Sequence, residues 1–206
     1  MRNILHSDNY KGLPLNKSPK CKDGFYVEIL QSLQKRMVDM VARHNQVFFV
    51  RFDLHYPENS TNWYANDNEL ISMFCEALRL YYHRKGYDPK ILWVRELCPQ
   101  TGQVHFHFLM LFDADYFQNG NSVLEKATDL WQRCLHTEDS RGLVNWCDPH
   151  EYMQNRYSRG VKIRRGSSNF QQVFGQCFQW ASYLAKCYSK RNSPANVNEF
   201  GCSRLS

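Results

Sequence analysis

The sequence lacks any apolar run close to the roughly 18–20 residues needed to cross a bilayer, so a membrane-spanning protein is not expected. Its first twenty residues also lack the apolar core of a secretion signal, which makes the cytoplasm the expected compartment. The eight cysteines include no CxxC pair, and the spacing of Cys134, His136, Cys147 and His150 fits no standard zinc pattern. Reduced thiols are therefore favoured over a disulfide framework or a structural zinc site.

No internal repeat, low-complexity segment or interdomain linker divides the 206 residues. We expect an extended N-terminal arm over residues 1–20, one folded domain over residues 21–190 and a tail over residues 191–206. Hydrophobic residues make up 43% and charged residues 22% of the chain, which is typical of a globular protein. The net charge of +6 mildly favours a polyanionic partner.

The centre of the predicted fold is a hairpin over residues 91–112, with turn chemistry at residues 99–102. Side chains alternate between the faces of a strand, so His105 and His107 project from the same face. A turn at this position places Glu96 directly opposite His105, roughly 5 Å away at Cβ. Two imidazoles and a carboxylate at this spacing can share one cation. The alternative is a hairpin whose histidines are only solvated or hydrogen-bonded.

An apolar strand predicted over residues 46–56 carries three polar side chains on one face, namely Arg51, Asp53 and His55. That face is either solvated or lines a polar cleft, and we favour the cleft. Asp53 is then an alternative third metal ligand or, with Arg51, a group that supports the ligands from behind.

Helical periodicity and capping residues predict helices over residues 22–44, 66–84 and 122–135, followed by a short strand over residues 143–147. The order strand–helix–strand–strand–helix–strand predicts an α+β protein. Its expected architecture is a split-βαβ sheet of the ferredoxin-like or RRM-like kind, antiparallel, with both crossover helices on one face. The other face is left for function or for an additional helix.

A basic and aromatic segment follows the last predicted strand. It contains two tyrosines and two glycines, and no acidic residue occurs between Glu151 and residue 169. This composition predicts either a solvated surface or a flexible loop that binds nucleic acid. The candidate DNA-binding residues are Arg156, Arg159, Lys162, Arg164 and Arg165.

A final helix, predicted over residues 168–188, carries a second candidate group. Tyr183 lies outside its apolar stripe and shares a polar face with Lys186. The two side chains are one turn apart, so the ammonium group can reach the phenol oxygen. An exposed tyrosine with an incidental lysine is the alternative.

Two histidines with a carboxylate, a tyrosine–lysine pair and a basic aromatic segment together suit the transesterification of a nucleic-acid phosphodiester. A divalent cation polarises a non-bridging phosphate oxygen, and a phenol attacks phosphorus to form a covalent phosphotyrosine. Tyrosine is a weak nucleophile at its usual pKa of about 10, so a nearby lysine favours the phenolate or neutralises the transition state.

The same residues resemble the HUH endonucleases. His105-Phe106-His107 is similar to their His–hydrophobe–His motif, and Tyr183-x-x-Lys186 is similar to their tyrosine motif. The motif order and the segments VRFDLHYP, WVRE, HFHFLMLF and ASYLAK resemble the inovirus-type replication initiators of filamentous phages and prophages, over roughly residues 47–190. The next tyrosine comes five residues after the first and points elsewhere on a helix, so a single-tyrosine enzyme is expected.

This resemblance implies an HUH endonuclease fold and a rolling-circle replication initiator in the cytoplasm of a bacterial host. Such an enzyme nicks single-stranded DNA at an origin, stays linked to the 5′ phosphate and leaves a 3′-OH for a host polymerase. The sequence contains no GxxxxGK[ST] segment, so a helicase would also come from elsewhere. The implied roles are Tyr183 as nucleophile, Lys186 as its partner, and His105, His107 and Glu96 as ligands of Mg²⁺ or Mn²⁺.

Other functions are compatible with the sequence. A non-catalytic module that binds single-stranded DNA would use the basic segment and exposed aromatic residues and would leave the histidines incidental. A metal-dependent RNA nuclease is a further alternative. A two-histidine phosphoesterase is disfavoured because it needs two His-x-Ser/Thr motifs, which this chain does not contain.

Overall fold

The computed structural model describes residues 3–58, 67–149, 153, 159–190, 194 and 197–204. Within these residues the chain forms an α+β protein with antiparallel sheets. The helices are α1 (Val27–Arg43), α2 (Glu69–His83), α3 (Gly120–Leu135) and α4 (Phe170–Ser182). The strands are β1 (Ile4–Leu5), β2 (Asn9–Tyr10), β3 (Leu13–Pro14), β4 (Phe25–Tyr26), β5 (Gln46–His55), β6 (Lys90–Leu97), β7 (Val104–Asp113), β8 (Val144–Trp146), β9 (Val161–Arg164) and β10 (Phe200–Cys202).

The main sheet has six strands in the order β10-β6-β7-β5-β8, and β9 also pairs with β5. β5 and β7 lie at its centre and form a ladder from Val47–Asp113 to His55–His105. The central strands are rich in β-branched and aromatic residues, which favour a pleated surface that is covered on both faces. β6 and β7 form the predicted hairpin, and the predicted pairing of Glu96 with His105 is confirmed.

Alternation along β5 assigns its side chains to two cores. The even-numbered residues 48–54 pack with α2 and α3, so these two helices share one face of the sheet. Val47 and Phe49 pack with α1 and α4 on the other face. Arg51 continues this second face and donates a hydrogen bond to the Trp180 carbonyl of α4. The polar face of β5 is therefore covered by a helix, and the expectation of a polar cleft is favoured over a solvated face.

Three helix boundaries differ from the sequence-based expectation. α1 begins at Val27 rather than residue 22 because β4 pairs with β1 immediately before it. α3 begins at Gly120 because the Asn119 side chain, rather than Ser122, caps it by accepting the Ser122 amide N–H. α4 ends at Ser182 and continues as a 3₁₀ turn over Tyr183–Ala185. Asn66, the expected cap of α2, lies outside the described residues.

The arm and the tail both contact the folded domain. In the arm, Leu15 is buried in the core beneath α4, and its carbonyl accepts a hydrogen bond from the Gln179 side chain. At the other end of the chain, β10 adds to the edge of the main sheet by pairing with β6. In the described part of the chain, every helix is too short or too polar to span a bilayer.

Candidate metal and tyrosine site

Three side chains that can ligate a metal converge at the end of the β6–β7 hairpin. Glu96, His105 and His107 offer ligand atoms that all lie within 4.8 Å of one another. Glu96 Oε2 is 3.7 Å from His105 Nε2 and 3.2 Å from His107 Nε2. The two imidazole rings meet edge to face, with centroids 4.9 Å apart. The register of one hairpin therefore assembles the predicted trio.

Asp53 on β5 lies behind His107. It is the ladder partner of His107, and its Oδ1 is 2.6 Å from His107 Nδ1. A carboxylate at Nδ1 holds the ring and its proton, which leaves Nε2 facing Glu96. Burial raises the pKa of Asp53, but the charge and the hydrogen bond of His107 outweigh burial and lower that pKa below its usual range. Of the two roles predicted for Asp53, the geometry favours support from behind.

Glu96 is also bound by cations of this chain. Lys186 Nζ lies 2.6 Å from Glu96 Oε2 and 3.4 Å from His107 Nε2. Lys190 Nζ lies 2.6 Å from Glu96 Oε1, and the Ser189 hydroxyl donates to Oε2 at 2.7 Å. Both ammonium groups are buried, with Lys186 1% and Lys190 0% exposed. One carboxylate thus compensates two lysines that are removed from water.

The neighbouring charges keep the carboxylate of this cluster, Glu96, ionised. Burial raises the pKa of Glu96, but the charges of Lys190, His107 and Lys186 bring it well below its usual range. Burial lowers the pKa of Lys186 to about 7, although the charge of Glu96 opposes that shift. Burial and the neighbouring His107 lower the pKa of His105 to about 4, so His105 is neutral at physiological pH and has a lone pair available.

Tyr183 adjoins the trio from the end of α4. Its ring lies edge to face with His107, with centroids 5.5 Å apart. Lys186 does not reach the phenol oxygen as predicted, because its ammonium group lies over the face of the Tyr183 ring, 3.7 Å from the centroid, and bonds to Glu96. Lys186 directly follows the 3₁₀ turn, and its side chain is part of the buried cluster. Burial and the charge of Glu96 raise the pKa of Tyr183 above its usual value.

Arg51 connects β5 to the tyrosine turn. Its guanidinium group lies 5.2 Å from the Trp180 ring centroid and 5.7 Å from the Tyr183 ring centroid. Its hydrogen bond to the Trp180 carbonyl, 2.8 Å long, fixes the last turn of α4 against the sheet. Arg51 thereby positions the tyrosine, whereas its predicted support of the metal ligands stays a prediction.

The predicted basic loop is partly a strand. Lys162 and Arg164 lie in β9, which pairs with the first residues of β5, at the end of that strand remote from Asp53. Arg165 donates hydrogen bonds to the Val41 and Ala42 carbonyls at the end of α1. These residues are not brought to the trio, and their role in binding DNA stays a prediction.

Two candidate DNA-binding residues of that segment remain, and the structure describes one of them. Arg159 has its guanidinium group 5.6 Å from the ring centroid of Trp146, near the edge of the sheet. Arg156 lies outside the described residues.

Sequence reasoning gave several residues of the site no role in it. His55 stacks on His105, with ring centroids 5.5 Å apart, and the alternation of β5 already indicated its face. The Cys147 thiol donates to Asp53 Oδ1 at 3.2 Å, and burial raises its pKa, so it remains a donor. Lys190 and Ser189 had no local signal, because they meet Glu96 only through the turn after α4.

Comparison with known proteins gives one match. A family model described as the YagK/YfjJ C-terminal domain matches residues 8–203. No curated protein and no solved structure matches the chain. The matched span includes most of the arm and β10, in agreement with the contacts that join both to the domain.

Proposed function

The chain belongs to the YagK/YfjJ C-terminal domain family, and we propose that it is a metal-dependent enzyme that nicks and rejoins single-stranded DNA through a covalent 5′-phosphotyrosine. The observation that carries the proposal is the meeting of two groups far apart in sequence. Tyr183 lies in ring contact with His107, one of three convergent candidate ligands. A nucleophile beside a cation site is what this chemistry requires.

The arrangement of the sheet supports an HUH-type fold for this enzyme. The order β8-β5-β7-β6, with β7 antiparallel to both neighbours, is the order that the split-βαβ expectation requires. α2 and α3 share one face, and the candidate site lies on the other face beneath α4. Function on the face that the crossover helices leave free agrees with that expectation.

The donor set fits a divalent cation, with Glu96, His105 and His107 as the residues that would hold it. Their ligand atoms converge within 4.8 Å, and His107 has its second nitrogen engaged by Asp53, as metal-bound histidines usually do. A carboxylate with imidazoles suits Mn²⁺ or Mg²⁺. When bound, the ion would polarise a non-bridging oxygen of the scissile phosphate.

Tyr183 supplies the nucleophile. Its phenol oxygen forms a bond to phosphorus, the bond from phosphorus to the 3′ oxygen breaks, the phenol loses its proton and the 3′ oxygen leaves as a hydroxyl group. Since burial and Glu96 raise the pKa of Tyr183, the phenol is protonated at rest and needs nearby positive charge. Arg51 and Lys186 lie on the ring and supply that charge.

In its biological setting, we propose that this reaction initiates rolling-circle replication. Single-stranded DNA at an origin is the substrate, and the released 3′-OH serves a host polymerase, with a host helicase opening the duplex. The proposed setting is a bacterial cytoplasm.

The test is adduct formation on denaturing gels. Wild type and Tyr183→Phe are incubated with Mn²⁺ and a pool of single-stranded DNA from the intergenic region of the element that encodes the protein. We expect a slowly migrating protein–DNA adduct with wild type only, and none after EDTA. Tyr188→Phe is the matched control, because it removes a phenol five residues away, and it should retain the adduct.

A non-catalytic module that binds single-stranded DNA is the alternative. One observation favours it: Lys186 and Lys190 already compensate the charge of Glu96, so the hairpin needs no metal for its stability. Salt-sensitive binding of DNA without an adduct in any of the three proteins would establish this alternative and overturn the proposed enzyme.

A further inference from the structure

The N-terminal arm forms a groove of its own. Its volume is about 690 Å³, and all of its lining residues lie between His6 and Phe25. Asn16 and Cys21 are buried residues of its lining, while Lys17 and Lys22 are exposed at its rim. The candidate site described above uses none of these residues.

The groove adjoins the tyrosine turn on both sides. The Asn16 amide N–H donates to the Ser182 hydroxyl at 2.9 Å, and Ser182 immediately precedes Tyr183. Beyond the turn, the Gly24 carbonyl accepts the Cys187 amide N–H at 2.9 Å. A ligand in this groove therefore lies next to the proposed nucleophile.

The charge of the arm suits a polyanion. Residues 9–22 contain four lysines and no acidic residue. Asp8 is the acidic residue in the groove lining, against Lys17 and Lys22. Phe25 in the lining is only 4% exposed, so its ring offers no stacking surface to a base, whereas the imidazole of His6 is exposed. Contacts here would be made to phosphates rather than to base edges.

We propose that the arm groove binds the sugar–phosphate backbone of the single-stranded DNA that flanks the scissile phosphate. The inference rests on the proposed function, because a strand attacked by Tyr183 must continue past the turn that carries it. Lys17 and Lys22 contact phosphates of that continuing strand. Binding in the groove is independent of sequence and depends on salt, as contacts to phosphates are.

The test measures the affinity of each protein for a labelled 30-nucleotide oligo(dT) by fluorescence anisotropy over a series of salt concentrations. Every protein carries Tyr183→Phe, so that binding is recorded without cleavage. Lys17→Ala with Lys22→Ala is compared with Lys85→Ala and Lys126→Ala. The control pair removes the same charge from the opposite face, where both lysines contact Tyr81. Circular dichroism confirms that all variants are folded.

We expect the groove variant to bind at least about tenfold more weakly at low salt, and its slope of log affinity against log salt to fall by about 1.4, because two phosphate contacts are lost. The control pair should match the parent. With Tyr183 restored, the groove variant should need more DNA than the control pair to form the same amount of adduct.

Two results would overturn the inference. Equal affinities and slopes for the groove and control variants would remove the arm from the DNA path, while an adduct with wild type would leave the proposed enzyme intact. Absence of oligo(dT) binding in the parent protein would also exclude the groove as a backbone site. The adduct assay would then decide the proposed function separately.

Discussion

Two histidines of this molecule, His107 and His44, lie between pairs of carboxylates at opposite ends of the main sheet. His107 has Asp53 at Nδ1, 2.6 Å away, and Glu96 at Nε2, 3.2 Å away. The His107 ring thus separates two acids, so the two carboxylates lie on opposite edges of the ring and cannot bind the same ion.

His44 shows the same pattern where β5 begins and β7 ends. Asp113 lies 2.9 Å from its Nδ1, and Asp88 lies 2.8 Å from its Nε2. Arg43 pairs with Asp88 as well, and Lys90 Nζ lies 3.6 Å from that carboxylate. This cluster joins the end of α1 to β7 and to the segment before β6, and its acids are partly exposed to solvent.

The difference between the two ends lies on the Nε2 edge of the ring. Beside His107 a second imidazole, His105, faces the same carboxylate, so three donors converge. Cations that donate and cannot ligate lie at both ends, Lys186 and Lys190 on Glu96 and Arg43 and Lys90 on Asp88. The second imidazole is therefore the feature that distinguishes the His107 end. A histidine between two acids thus links them and stabilises the fold. It becomes a candidate ion site only where another donor lies near its Nε2 edge.

The largest expected effect concerns stability. Glu96→Gln removes the charge that compensates Lys186 and Lys190, so each buried lysine either lacks a counter-ion or gives up its proton. Loss of one partner of a buried ion pair costs about 3–5 kcal/mol of unfolding free energy. At the other end, Asp88→Asn should cost about 1 kcal/mol or less, because this carboxylate is 30% exposed and screened by water.

Urea denaturation of both variants measures this difference. Equal losses of unfolding free energy in the two variants would contradict the view that the Glu96 cluster is buried from water and the Asp88 cluster is exposed to it. Lys190→Met with Glu96→Gln should recover part of the loss, since it removes one of the two stranded charges.

The site hairpin was predictable because it depends on local rules. Strand periodicity placed His105 and His107 on one face, and the turn chemistry at residues 99–102 fixed the partner of His105 as Glu96. The same alternation along β5 indicated the shared face of Arg51 and Asp53. Each of these inferences needs only neighbouring residues and one register.

The environment of Tyr183 was less predictable because it depends on long-range contacts. The polar face of α4 suggested exposure, but the arm covers it through the bond from Gln179 to the Leu15 carbonyl. No local signal ends α4 at Ser182, and Lys186 bonds to Glu96 on a strand that is far away in sequence. The sequence therefore identified the residues of the pair but not how Lys186 contacts the tyrosine.

A second prediction concerns affinity for metal. His105→Ala should lower Mn²⁺ affinity by at least about 100-fold, because it removes one of the three donors that converge near His107 Nε2. His44→Ala, at the other end of the sheet, should leave Mn²⁺ affinity unchanged. Calorimetric titration with MnCl₂ compares both variants with wild type. Equal affinity in all three proteins would show that the trio does not bind the ion.

A third prediction, of a smaller effect on Mn²⁺ affinity, tests whether Asp53 supports a metal ligand or is a ligand itself. Asp53→Asn should lower Mn²⁺ affinity by about 10–100-fold, since loss of the carboxylate at Nδ1 weakens His107 as a donor. Asp113→Asn is the matched control, because Asp113 occupies the same position on His44. Asp53→Asn should lower Mn²⁺ affinity less than His105→Ala does, whereas an equal or larger loss would make Asp53 a ligand.

The smallest effect concerns acid. The pKa of Asp53 is lowered in the folded protein, against burial, by His107. The pKa of Asp88 is lowered as well, again against burial, by hydrogen bonds from His44 and Arg43. A carboxyl group with a depressed folded pKa contributes its full stabilisation above its unfolded pKa of about 3.9 and loses it as the pH falls towards the folded pKa.

Asparagine does not titrate, so Asp53→Asn should lose less unfolding free energy than wild type between about pH 6 and pH 3. Asp88→Asn should change in the same direction but by less, because solvent screens its more exposed carboxylate. Urea denaturation at a series of pH values measures both slopes. A pH dependence of Asp53→Asn as steep as that of wild type would show that His107 does not hold Asp53 ionised. Of the two carboxylates, only Asp88 would then contribute to the acid sensitivity of the fold.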